Sequence, residues 1–116
     1  MRRVHKKEPL IETTIRLGEE EYFILKKKKA KTLFIRTAIR NYLQKLQRGQ
    51  EIPECHVPKT MLKPQTISIR EDMARHIDLA IIRKPYMLDM ESVKIVKTTR
   101  SLIIREAIRE NADIRI

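Results

Sequence analysis

One ten-residue pattern occurs twice in this chain, and it strongly limits how the chain can fold. Residues 31–40 read KTLFIRTAIR, and residues 100–109 read RSLIIREAIR. Both follow the order basic, hydroxyl, Leu, apolar, Ile-Arg, any residue, Ala-Ile-Arg, without a gap. The apolar spacing predicts an amphipathic helix with one buried side in each stretch. Unrelated amphipathic helices would share that stripe but not the arginines and the hydroxyl, so the match indicates an internal duplication.

A short strand pattern precedes each of these helices. Residues 11–17 (IETTIRL) and 66–69 (TISI) are rich in β-branched side chains and alternate in polarity, which predicts strands with one buried face. The side chains predicted to face the core are Ile15, Leu17, Ile67 and Ile69. The side chains predicted to face outward are Glu12, Thr14, Arg16, Thr66 and Ser68.

The elements follow the same order in both halves: strand, short helix, longer helix. Gly18 ends the first strand and Gly49 the first long helix, for which Thr32 is a plausible N-cap. We therefore predict a mainly α fold with short β-strands, in which a strand-helix-helix unit occurs twice. The predicted boundaries are residues 1–10 for a basic arm, 11–48 for the first unit, 49–64 for a linker, and 65–116 for the second unit, with an inserted segment at 84–97.

Charge narrows the class of partner. The net charge is +11, and residues 1–50 carry 14 Lys/Arg against 5 Asp/Glu, so most of the excess lies in the first half. Such a field attracts polyanions. Two glycines exclude a Gly-rich phosphate loop, and one cysteine excludes an intrachain disulfide. We expect a non-enzymatic, intracellular protein with no cofactor and no metal site.

The residues also carry a family resemblance. Residues 99–109 (TRSLIIREAIR) resemble the second helix of ribbon-helix-helix repressors, whose pattern is Ser-x-Ser-x-x-Ile-Arg-x-Ala-Ile. The two strand segments resemble the ribbon of the same family. Ala30 departs from the pattern in the first unit, and residues 84–97 lengthen the second. A tandem arrangement in so short and basic a chain is similar to transcription regulators of archaeal viruses, which would act in the host cytoplasm.

The resemblance implies a mechanism. Two strands pair antiparallel, and the ribbon they form enters the major groove of double-stranded DNA, which is wide enough for it. The outward residues Glu12, Thr14, Arg16, Thr66 and Ser68 would then contact bases. The N-termini of the long helices would face the DNA backbone. The residues implied in phosphate contacts are Lys6, Lys7, Lys31, Thr32, Leu33, Thr99 and Ser101.

Several alternatives stay open at the level of sequence. The ribbon forms within one chain, as a pseudo-dimer, or between chains, and we expect a homo-oligomer on DNA. The function expected is sequence-specific transcriptional regulation, for example as a repressor. Nonspecific packaging of nucleic acid and an antitoxin-like protein-binding role are the alternatives.

Overall fold

The computed structural model describes residues 9–116, which contain four helices and five strands. The helices are α1 (Glu19–Lys26), α2 (Lys31–Arg48), α3 (Glu71–Arg83) and α4 (Arg100–Glu110). The strands are β1 (Leu10–Ile15), β2 (Glu54–Cys55), β3 (Gln65–Arg70), β4 (Tyr86–Asp89) and β5 (Lys94–Lys97). Helices α2 and α4 cover the two repeated sequences, and β1 and β3 overlap the two predicted strand segments. In the second half the predicted order of a short helix before a longer one is wrong, because α3 has 13 residues and α4 has 11.

The predicted fold class is wrong, because the order β-α-α-β-β-α-β-β-α is not two tandem strand-helix-helix units. Three of the strands form a second sheet in the order β2-β4-β5, with β2 parallel to β4 and β5 antiparallel to it. Strand β2 lies in the segment predicted to be a linker, and β4 and β5 form a hairpin in the segment predicted to be an insertion. Neither segment shows the alternation from which a strand is predicted.

Strands β1 and β3 form the first sheet, a two-stranded antiparallel pair that we call the ribbon. Both strands belong to one chain, which is the first of the two pairings left open above. The inward side chains Ile15, Leu17 and Ile69 are fully buried beneath it. Ile67, also predicted to face the core, is half-buried and packs against the same cluster.

Helix α4 lies at the centre of the molecule. Every residue from Leu102 to Ile108 is buried, so this helix is enclosed on all sides although its sequence looks amphipathic. It packs against α2 and α1 and also contacts α3 and β1. The two copies of the repeated sequence, α2 and α4, therefore pack directly on each other.

The helix ends differ in how they are capped. Helix α2 begins after Ala30, which offers no side-chain cap, so the prediction of Thr32 as N-cap is wrong. Thr99 caps α4, its hydroxyl oxygen accepting a hydrogen bond from the Leu102 N–H at 3.1 Å. Gly49 is the C-cap of α2, as predicted.

Candidate nucleic-acid interface

The outer face of the ribbon carries the five residues predicted to contact bases. Antiparallel register sets Thr14 opposite Thr66 and Glu12 opposite Ser68. Arg16 follows directly after β1 and is exposed on the same side of the alternation. The ribbon thus brings side chains from distant parts of the chain into one row.

This row is exposed and lacks internal partners. All five side chains are exposed to solvent. Within residues 9–116, none of these five side chains makes a hydrogen bond or an ion pair. Their polar groups are therefore available to a ligand that approaches the ribbon from outside.

Two arginines of α4 form hydrogen bonds with residues at the C-terminal end of β1 and just after it. Arg105 is only 5% exposed, and its Nη1 donates a hydrogen bond to the main-chain carbonyl oxygen of Arg16 at 3.1 Å. Arg100 forms a two-point interaction with Asp78, at 2.9 and 2.7 Å, and its Nη1 lies 3.4 Å from the Thr13 hydroxyl oxygen. The buried central helix thus binds the main chain of Arg16 and the side chain of Thr13.

The buried arginine lies among carboxylates that offset part of the cost of burying its charge, and the pKa of its guanidinium remains lowered. Burial lowers the pKa of the Arg105 guanidinium, while the negative charges of Glu21 and Glu106 raise it. Burial raises the pKa of Glu106, and the His56 N–H, which donates to Glu106 Oε2 at 3.2 Å, opposes that shift. Glu21 of α1 and His56, in the segment before β3, thus both interact with α4, the helix that supports Arg16.

The residues predicted to contact phosphates are only partly brought together. Lys31, Thr32 and Leu33 are exposed in the first turn of α2, where the first main-chain N–H groups have no partner within the helix. Lys31 Nζ donates to the Lys28 carbonyl oxygen at 3.2 Å. Lys6 and Lys7 lie outside the described residues.

The corresponding turn of α4 is arranged differently. Thr99 uses its hydroxyl oxygen to cap its own helix, and Ser101 is half-buried. Of the two helices that carry the repeated sequence, α2 therefore offers the more open N-terminus.

Sequence reasoning missed Arg70 and Leu10 on the ribbon. Both are exposed, and they face each other across the ribbon at the end away from Arg16. Arg70 continues the outward alternation of Thr66 and Ser68, so extending the period-two pattern by one step would have found it. An arginine therefore stands at each end of the exposed row, about 20 Å apart along the strands at 3.4 Å per residue.

No helix in the described part of the chain combines the length and apolarity needed to cross a membrane. No group of three or more His, Cys, Asp or Glu residues is placed to hold a metal ion among residues 9–116. No protein-family model matches the chain, and neither a curated protein nor a solved structure matches it.

Proposed function

We propose that this protein binds double-stranded DNA inside the cell and recognises a particular sequence by inserting the ribbon into the major groove. The observation that carries this proposal is the unpartnered row of Glu12, Thr14, Arg16, Thr66 and Ser68 on the ribbon's outer face. A major groove about 12 Å wide admits a two-stranded ribbon. The protein acts as a transcriptional regulator under this proposal and carries out no catalysis.

The side chains of the row suit the hydrogen-bonding groups of base edges. An arginine such as Arg16 makes a bidentate contact with guanine, and threonine bonds to a base edge or touches a thymine methyl. A carboxylate such as Glu12 accepts a hydrogen bond from the cytosine amino group. The row therefore mixes donors and acceptors, which is what discrimination between base pairs requires.

Contacts to the DNA backbone would supply most of the affinity. The net charge of +11 favours a polyanion, and the first turn of α2 presents main-chain N–H groups beside Lys31. Because such contacts release counterions, affinity should fall steeply with salt whatever the sequence. Under this proposal the ribbon supplies sequence specificity, and the N-terminus of α2 supplies affinity.

The test is selection from a pool of random duplexes, followed by footprinting of the enriched sequence against excess unrelated DNA. We expect one short protected site that resists the competitor. Uniform protection with no enriched sequence would favour the packaging alternative and refute sequence-specific regulation. The mass of the complex in solution gives the number of chains per site.

Variants connect that result to the ribbon. Arg16→Ala should reduce preference for the selected site. Arg48→Ala is the matched control, because Arg48 is exposed at the C-terminal end of α2, an 18-residue helix, about 25 Å from Lys31 at 1.5 Å per residue. Equal effects of the two substitutions would mean that the ribbon does not read the bases.

A further inference from the structure

A groove of about 900 Å³ runs between α2 and α3, and of its lining residues only Leu33 and Arg70 also belong to the candidate DNA interface. Helix α2 contributes Leu33, Arg36 and Arg40 to its walls, and α3 contributes Leu79 and Arg83. Its α2 wall reaches from Leu33 to Gln47, which corresponds to about 21 Å of helix at 1.5 Å per residue. The groove is therefore long and open, and its walls are both cationic and apolar.

The internal repeat shows what is missing from this groove. Arg36 and Arg105 occupy the same position in the two copies of the repeated sequence. Arg105 faces the charge of Glu21, the third residue of α1. The third residue of α3 is Met73, which lines the groove together with Arg36, so α3 carries a thioether at the position where α1 carries a carboxylate. The Nε atoms of Arg36 and Arg105 are both buried without a hydrogen-bond partner among the described residues, so the two arginines differ in the charge around them and not in this atom.

The next arginine of the repeat shows the same difference. Arg109 lies 3.5 Å from Glu20, whereas its counterpart Arg40 makes no ion pair within residues 9–116. Arg83, on the opposite wall, makes none there either. The carboxylate of Asp72, also in the wall, accepts a hydrogen bond from the Met73 N–H at 2.8 Å. Positive charge in the groove thus exceeds negative charge.

Leucine side chains lie beside these cations. Leu33 and Leu79 are 53% and 46% exposed, although both are large apolar residues. Exposed apolar surface rimmed by charged groups is typical of a site for a protein partner. A nucleic-acid backbone would satisfy the arginines but leave the leucines without apolar contact.

We propose that the α2–α3 groove binds an acidic amphipathic helix of a partner protein, a role that goes beyond DNA recognition. Carboxylates of the partner would pair with Arg36, Arg40 and Arg83, and its apolar side chains would cover the two leucines. Arginine forms bidentate hydrogen bonds with carboxylates, which gives such a contact orientation as well as charge. The groove would recognise the partner's helix by its apolar side chains, which are spaced three and four residues apart.

The probe is a synthetic 16-residue helical peptide with Leu at every third and fourth position and Glu at most others. Two control peptides replace either every Glu by Gln or every Leu by Ser. Binding to the full chain is followed by fluorescence anisotropy, and the contact surface is mapped from amide chemical shifts. We expect shifts confined to α2 and α3, and weak or no binding of both control peptides.

Substitutions separate the groove from the general positive charge of the protein. Arg36→Gln with Arg40→Gln should weaken binding of the acidic peptide about tenfold. The matched control is Lys29→Gln with Lys94→Gln, which removes two exposed cations outside the groove and should change affinity less than twofold, within screened surface effects. Circular dichroism checks that both variants fold.

Three results would overturn the proposal. The first is equal weakening by the groove and control variants, which would mean nonspecific attraction. The second is undiminished binding of the Leu-to-Ser peptide, which would mean that the leucines play no part. The third is displacement of the peptide by duplex DNA together with loss of DNA binding in Arg36→Gln, which would assign the groove to nucleic acid. Selection of a DNA site by the ribbon is a separate measurement, so either proposal can fail alone.

Discussion

The guanidinium of Arg105 donates a hydrogen bond to the main-chain carbonyl oxygen of Arg16 over 3.1 Å, joining the centre of the core to the exposed end of the ribbon. Arg105 is buried, and Arg16 is exposed. The residue proposed to read a base is thus held through its backbone, which leaves its side chain free.

Replacing Arg105 should lower the stability of the fold. Arg105→Met leaves the Arg16 carbonyl oxygen without its donor and the buried Glu21 without a nearby cation, which we expect to cost about 2–4 kcal/mol of unfolding free energy. Urea unfolding measures this loss. Adding Glu21→Gln should recover part of it, because the uncompensated charge is removed. Additive effects of the two substitutions would contradict a coupling between these residues.

Arg16 and Lys31 should affect DNA binding in different ways. Arg16→Ala should reduce discrimination between the selected site and a mismatched site by about 1–3 kcal/mol. Lys31→Ala should weaken binding to all sequences alike and lower the salt slope by about 1. Titrations of both sites at several salt concentrations separate these outcomes. If Arg16→Ala left discrimination unchanged, the outer face of the ribbon would not be the reading face.

Asp89 connects the second sheet to the segment before β3. It is 5% exposed, and its carboxylate accepts hydrogen bonds from the Val57 N–H at 3.1 Å and from the Ser92 hydroxyl at 2.8 Å. Asp89→Ala leaves these donors without their acceptor, so we expect a loss of about 2–4 kcal/mol. Chemical unfolding at neutral pH measures it.

The same carboxylate should make stability depend on pH. Burial raises the pKa of Asp89, but hydrogen bonds from Ser92, Val57 and Glu91 outweigh burial and lower it below the ordinary value. A carboxyl group whose pKa is lower in the folded state stabilises the fold above its unfolded pKa, near 3.9, and loses that contribution as pH falls through the folded value. The stability difference between the native protein and Asp89→Asn should therefore shrink below about pH 4. A constant difference down to strongly acid pH would contradict this assignment.

Gly18 is required by a close approach of another part of the chain. A Cβ at this position would lie 2.6 Å from Pro58 Cγ and 2.7 Å from Pro58 Cβ. Gly18→Ala should therefore destabilise the protein by about 1–3 kcal/mol, as overpacking does. Adding Pro58→Gly removes both clashing atoms, so the Ala substitution should cost less in that background. Thermal unfolding of the four proteins tests this directly.

Val93 closes the β4–β5 hairpin in a conformation that favours glycine. Its φ is 56°, which is unusual for a β-branched residue. Val93→Gly should raise stability by about 0.5–1 kcal/mol, because relief of the strain exceeds the added freedom of the unfolded chain. Val93 is 76% exposed, so little packing is lost. A decrease in the unfolding temperature would contradict this prediction.

This hairpin also explains why the fold class was mispredicted. A tight hairpin is recognised from Gly or Asn at its turn, and residues 90–93 (MESV) contain neither. In β4 the inward side chains are Met87 and Asp89, one apolar and one charged, so the strand shows no apolar alternation. The buried Asp89 accepts hydrogen bonds from Val57, in a distant segment, and from Glu91 and Ser92 in the turn that follows β4. The spacing of residues within β4 does not reveal these contacts.

The sequence by itself determined the helices α1 to α4, the strands of the ribbon and the side chains on its outer face. Helical and strand periods state which face of an element is buried, and that information is local. Only the tertiary structure decided that β1 pairs with β3 in the same chain, that β2, β4 and β5 form a second sheet, and that Arg105 supports Arg16. These strand pairings and this hydrogen bond depend on contacts between residues far apart in sequence. The spacing of residues within one segment carries no information about such contacts. Arg36 and Arg105 therefore hold the same position in the repeated sequence and differ in the fold: Arg105 is buried near the charge of Glu21, whereas Arg36 lines the open groove that Met73 also lines.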